Sequence, residues 1–262
     1  MERLSTGKRI NHARDDSAGQ AIATRLAAEI EGFAMASRNV ADGQSLVDTA
    51  ESALVETHAL LLRMREISVQ AANGTLSDAD NTALDAEFQQ LVAEIDRISD
   101  NTSWAGTKLL NGDSTGNANT SATFAFQAGV NNTTADTISV DISNADAATL
   151  GIFDDSTTAG TNDITLTNAT NAGAAIVAVD AAIAAVSTER GKLGAVSNRM
   201  SSTMANLDQI TVNLTASKGR IEDADFAAET GNLAKGQILQ QAATAMLAQA
   251  NASKQQVLTL IR

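Results

Sequence analysis

The 262-residue chain carries 31 acidic against 18 basic side chains, a formal net charge of −13, and so lacks the basic footprint that non-specific nucleic-acid binding needs. It has no cysteine, which excludes disulfides and thiolate chemistry, and no proline, which suits long uninterrupted helices. With six Phe, one Trp and no Tyr, the core has to come from Ala, Leu, Ile, Val and Met.

Met1 to Asp15 is a polar, basic lead-in without the apolar run of a signal peptide. Asp15-Asp16 then sits where carboxylates suit the positive end of a helix. Beyond it, Ala18, Ile22, Leu26, Ile30, Phe33, Leu46, Ala50, Ala53, Leu54, Leu61, Met64 and Ile67 recur at helical spacing, with glycine only at Gly19, Gly32 and Gly43. One helix from Asp16 to Ala72 is about 85 Å long at 1.5 Å per residue, so it needs partner helices along its length.

Asn73-Gly74 is a stop signal, and Ser77 to Asp80 has the pattern of a capping box opening a second helix. Its stripe, Leu84, Phe88, Leu91, Ile95 and Ile98, is a heptad seam, and the short turn predicts antiparallel packing. From Trp104 the texture turns to Gly, Asn, Thr and Ser. Ala122 to Gln127 and Thr137 to Ile142 read as strands around a turn at Asn131 to Thr134, and Ile164 to Leu166 as a further strand. Leu150 to Phe153 is a short apolar piece.

Helix resumes near Gly173. Its stripe is Ile176, Val179, Ile183, Val186, Leu193, Val196, Met200, Leu207, Ile210, Leu214 and Ile221, with Glu189, Arg190 and Lys192 expected to face out. This is the partner the first helix requires. The last stretch, Glu229 to Arg262, interleaves Leu233, Ile238, Leu239, Met246, Leu247, Val257, Leu258, Leu260 and Ile261 with Gln and Ala, and charge is sparse. A helix without a charged outer face is expected to bury itself against other chains. No stretch approaches the roughly 18 consecutive apolar residues of a transmembrane helix. The most apolar, Ala172 to Val186, is interrupted by Asp180, so no membrane insertion is expected.

Catalytic signatures are missing. His12 and His58 lie far apart, neither with a second His or a Cys three or four positions away, and there is no phosphate loop or nucleophile elbow. Asp154-Asp155 reads as solvated loop charge. Neither enzyme activity, cofactor nor metal is expected.

Two extended blocks carry a resemblance: ERLSTGKRINHARDDSAGQAIATRLAAEIEGFAMASRNVADGQSLVDTAESAL with LLRMREISVQAANGT, and KGRIEDADFAAET with QILQQAATAMLAQAN and VLTLIR. In these blocks the chain resembles bacterial flagellin. The resemblance implies a filament subunit for motility that self-assembles into a homopolymer, is exported through the flagellar type III channel, and sits outside the cell on the flagellum. It implies an export chaperone, cap and hook-associated proteins as partners. The fold expected is mainly α: long antiparallel helices from both chain ends in an elongated bundle, with a small β-rich insertion in the middle. The segments are 1–17 (inner remnant), 18–111 and 173–221 (core helices), 112–172 (outer insertion) and 222–262 (inner-core helix).

Arg63, Arg65, Glu66, Ile67, Val69, Gln70 and Glu87 match the family positions used for subunit packing and, in some members, for contact with the vertebrate innate flagellin receptor. Leu62 and Ile67 depart from the recognised pattern. The bland reading of the charges among them is solvated helix surface. Leu233, Ile238, Leu239, Met246, Leu247, Val257, Leu258, Leu260 and Ile261 match inner-core packing. Family members carry further N-terminal residues that pair with this last helix. The sequence therefore reads as N-terminally truncated, and residues 229–262 are expected to be flexible or abnormally packed. Two other readings compete: a hook–filament junction subunit, and a cell-surface carbohydrate or adhesion receptor using the insertion, with Phe124, Phe126 and Phe153 as its few aromatic platforms.

Overall fold

The computed structural model describes residues 1–111, 122–153 and 164–260, with side chains described as far as residue 251. The elements in order are α1 (Glu2–Thr6), α2 (Ser17–Ala71), α3 (Asp78–Asn101), β1 (Ser103–Trp104), β2 (Thr107–Lys108), β3 (Ala122–Gln127), β4 (Thr137–Ile142), α4 (Ala169–Glu222) and α5 (Phe226–Leu260). They form two compact units, one of residues 33–208 and one of residues 1–32 with 209–262. Helices α2 and α4 contribute a segment to each.

In the larger unit, Leu46, Val47, Leu54, Leu61, Met64 and Ile67 of α2 pack with Phe88, Val92 and Ile95 of α3 and with Val179, Val186, Leu193 and Met200 of α4. Polar links across this seam give the direction of the pairing. Ser37 bonds Asp208, Glu51 pairs with Arg190, and Arg65 with Asp180. As the number rises on α2 it falls on α4, so the two run antiparallel. Gly43 permits a close approach, because a Cβ there would lie 3.0 Å from both the Phe126 ring and the Met200 methyl. Buried Thr57 and Ser68 are satisfied within α2, donating to the carbonyls of Ala53 and Met64.

Helix α3 opens on the expected capping box. The Ser77 hydroxyl accepts the Asp80 N–H at 3.3 Å, and the Asp80 carboxylate accepts the Ser77 N–H at 3.1 Å. The hydroxyl and N–H of Ser77 hold the Asp80 carboxyl below its ordinary pKa. After α3 comes a two-residue hairpin, β1–β2, that the sequence reading did not include. Ala105 and Gly106 form its loop at φ 48° and 86°, and Trp104 pairs with Thr107.

The strands β3 and β4 fall where alternation places them, paired antiparallel from Ala122↔Ile142 to Gln127↔Thr137. Ile138, Val140 and Ile142 are buried in the same core as the helices, together with Ala145, Ala147, Ile152 and Leu166. The described part of the 112–172 insertion thus belongs to the larger compact unit.

Ile164 to Leu166 is not a strand. The Asp85 carboxylate accepts the Leu166 N–H at 2.7 Å, and the Gln89 amide donates to the Ile164 carbonyl at 3.1 Å. Side chains of α3 therefore take the place of a strand partner for this backbone. The same device recurs twice. Asp96 accepts the Ala147 N–H at 2.8 Å, and Glu189 accepts both the N–H and the hydroxyl of Ser143 at 3.0 Å. Glu189, expected to face out, is buried; only Lys192, its ion-pair partner at 2.9 Å, reaches solvent.

In the smaller unit, Asp16 caps α2 by accepting the Gly19 N–H at 2.8 Å. Asp15 instead accepts the N–H groups of His12 and Asn11, which lower its pKa. Helix α4 ends at Glu222, and residues 223–225 separate it from α5. The break is held by main-chain bonds to the lead-in: Arg9 N–H to the Glu222 carbonyl at 2.6 Å, and Ala224 N–H to the Gly7 carbonyl at 3.0 Å. Lys8 adds an ion pair to Glu222 at 3.1 Å. Helix α4 contains a stretch long and apolar enough to cross a membrane by length and composition. Within α4, Val179, Ala182 and Val186 are core residues.

Candidate functional site

Among the described residues no cluster of His, Cys, Asp or Glu could hold a metal ion. What stands out instead is apolar surface. On α5, Ile238, Leu239, Met246 and Leu247 are 59 to 72% exposed, and every residue from 234 to 251 is exposed. No charged residue lies between Lys235 and Lys254. At about 100° per residue the four large side chains fall within about half the helix circumference. Leu233 is half-buried. Val257, Leu258 and Leu260 lie on α5 beyond the described side chains, and Ile261 lies outside the described residues. The segment is one helix as far as Leu260.

The second surface is on α2. Arg63, Arg65, Glu66, Val69 and Gln70 are all exposed there, and Glu87 on α3 faces Arg63. Arg63 donates to Glu87 from two nitrogens, at 2.8 and 3.1 Å, and to Glu66 at 2.6 Å. These bonds, Glu87's first, raise the pKa of the guanidinium. Arg65 is likewise raised by its hydrogen bonds to Asp180. Ile67 is corrected: it is fully buried in the core, because it lies on the stripe with Leu61 and Met64 that faces the other helices.

Two residues escaped the site reading. Val55 and Leu62 are 38 and 49% exposed, and with Val69 at 50% they form an outer stripe at heptad spacing. The spacing of seven was visible in the sequence, but the stronger inner stripe masked it. The aromatic platforms also change: Phe124 and Phe126 pack against the core, and only Phe153 is exposed. The Asp154-Asp155 pair lies outside the described residues.

Comparison with known proteins completes the picture. Residues 1–115 match the bacterial flagellin N-terminal helical region, and residues 176–261 the C-terminal helical region. The chain is 45% identical to a flagellin of Halalkalibacterium halodurans over 262 residues, covering all of this chain and 90% of that one. It is 44% identical to a flagellin of Bacillus subtilis, covering all of this chain and 91% of that one. Among solved structures, Bacillus cereus flagellin matches with a TM-score of 0.52 at 29% identity, over 65% of this chain and 88% of that chain. The chain belongs to the bacterial flagellin family, the structural subunits of the flagellar filament.

Proposed function

We propose that the filament contacts of this chain are made by two faces: the uncharged face of α5, and the outer stripe Val55, Leu62 and Val69 with Arg65 and Gln70 beside it. The observation that carries this reading is the row of exposed apolar side chains on α5. Burying Ile238, Leu239, Met246 and Leu247 contributes on the order of 1 to 2 kcal/mol each, enough together to offset much of the entropy lost on association. Leu233, Val257, Leu258, Leu260 and Ile261 are assigned to the same inner-core packing by family resemblance alone.

The finer parts of the reading rest on family membership. They are export through the flagellar type III channel, an extracellular filament, and partnership with an export chaperone, cap and hook-associated proteins. Arg63, Arg65, Glu66, Val69, Gln70 and Glu87 are the residues proposed for innate-receptor contact. Ile67 supports them from the core. Family membership favours the filament subunit over the hook–filament junction and carbohydrate-receptor readings.

Addition of this chain to preformed filament seeds tests the proposal. Leu239→Glu with Met246→Glu should cut incorporation at least about tenfold, a change of 1.4 kcal/mol or more, while leaving the thermal unfolding of the free chain unchanged. Val177→Glu, also on an exposed position, is the control. Parent-level incorporation by the double variant refutes the assignment.

A further inference from the structure

The turn between α2 and α3 carries a reactive pair. Asn73 lies beyond the end of α2, is exposed, and is followed by Gly74. Gly74 is exposed as well, and a Cβ built on it would meet nothing within 4 Å. Among the described residues the Gly74 N–H has no acceptor. The side-chain carbonyl of Asn73 accepts the Thr75 N–H at 3.3 Å. That donor is placed to stabilise negative charge developing on the oxygen when a nucleophile attacks the side-chain carbon.

From this geometry we propose that Asn73 is a site of spontaneous deamidation in the folded chain. Solvent hydroxide removes the Gly74 amide proton, and the nitrogen attacks Cγ of Asn73. The new N–Cγ bond forms as the Cγ–Nδ2 bond breaks, and the amide nitrogen leaves as ammonia after taking a proton from water. Water then opens the five-membered imide at either carbonyl, leaving aspartate or its isomer with the main chain routed through the side chain. No oxidation or reduction occurs; water and hydroxide are the only co-reactants. Each conversion places a new carboxylate just past the C-terminal end of α2, where the helix dipole disfavours negative charge.

The other asparagines near this turn are held differently. Asn81 sits in α3, is buried, and is followed by Thr82. Asn111, the other asparagine followed by glycine, donates its amide to the Asp100 carboxylate.

The test is peptide mass analysis of the whole chain aged for weeks in mildly alkaline buffer. Cleavage after Arg65 and Arg97 puts Asn73 and Asn81 on one fragment, apart from Asn111. Deamidation, read as a gain of about one mass unit, is expected at Asn73 at least about tenfold faster than at Asn81, a barrier difference of 1.4 kcal/mol. The Asn73 rate in the folded chain should lie within a few-fold of its rate in denaturant. Gly74→Ala, which the open space accommodates, should slow the reaction about tenfold with the same thermal unfolding midpoint. An Asn73 rate in the folded chain as low as that of Asn81, or one unmoved by Gly74→Ala, overturns the proposal.

Discussion

Replacing Glu189 by alanine is expected to loosen the β3–β4 hairpin from α4. Glu189 is only 5% exposed, and its carboxylate accepts two bonds from Ser143, both at 3.0 Å. Bonds to a charged group contribute about 1.5 to 3 kcal/mol each, so the gross loss is about 3 to 6 kcal/mol. Lys192 adds little, because its side chain is 61% exposed. A cavity of about 380 Å³ borders both Ser143 and Glu189, and water entering it can recover part of the lost bonding. The expected net cost is therefore about 2 to 4 kcal/mol, or a fall in melting temperature of roughly 5 to 12 °C for a unit of this size. Trp104 is the only tryptophan and packs against the same core, so its fluorescence during urea unfolding reports directly. Glu189→Gln keeps the shape and an acceptor, and should lose about half as much. A cost below about 0.5 kcal/mol for the alanine variant refutes the reasoning.

Three further substitutions separate stability from assembly. Ile67→Ala should cost about 2 to 5 kcal/mol in urea unfolding, because the side chain is fully buried, whereas Val69→Ala should cost under about 0.5 kcal/mol and act on seeded assembly instead. A double-mutant cycle on Arg65 and Asp180 should return a coupling of about 0.2 to 1 kcal/mol that shrinks with added salt, since both side chains are 47% exposed. Asp80 has a lowered folded pKa, so its stabilisation is present above its ordinary value of 3.8 and is lost as the pH falls below that through the folded pKa. Asp80→Asn should accordingly lower the urea midpoint at neutral pH and converge with the parent chain in strong acid.

The long helices were legible because period and punctuation agree. The Asn73-Gly74 stop and the Ser77 capping box bracket the turn between α2 and α3 within a residue or two. The β3–β4 hairpin was legible from strict alternation in TISVDI. Side chains that serve another segment's main chain were not. Glu189 sits among Arg190 and Lys192 and looks like surface charge, yet it closes the end of β4. Leu166 looks like a strand residue, yet Asp85 supplies its partner from α3. Ile67 belonged to two patterns at once, the inner stripe and the matched contact segment, and core packing decided between them. No periodicity encodes such distant partnerships.

The carboxylates of Asp85, Asp96 and Glu189 grip amide groups that nearly every residue possesses. Fastening of this kind is blind to side-chain identity. The central portion of the polypeptide therefore tolerates change at its exposed side chains, provided that its small apolar plugs still seat and the three clasped amides keep their places. Exposed positions there can drift in sequence while the attachment to α3 and α4 persists.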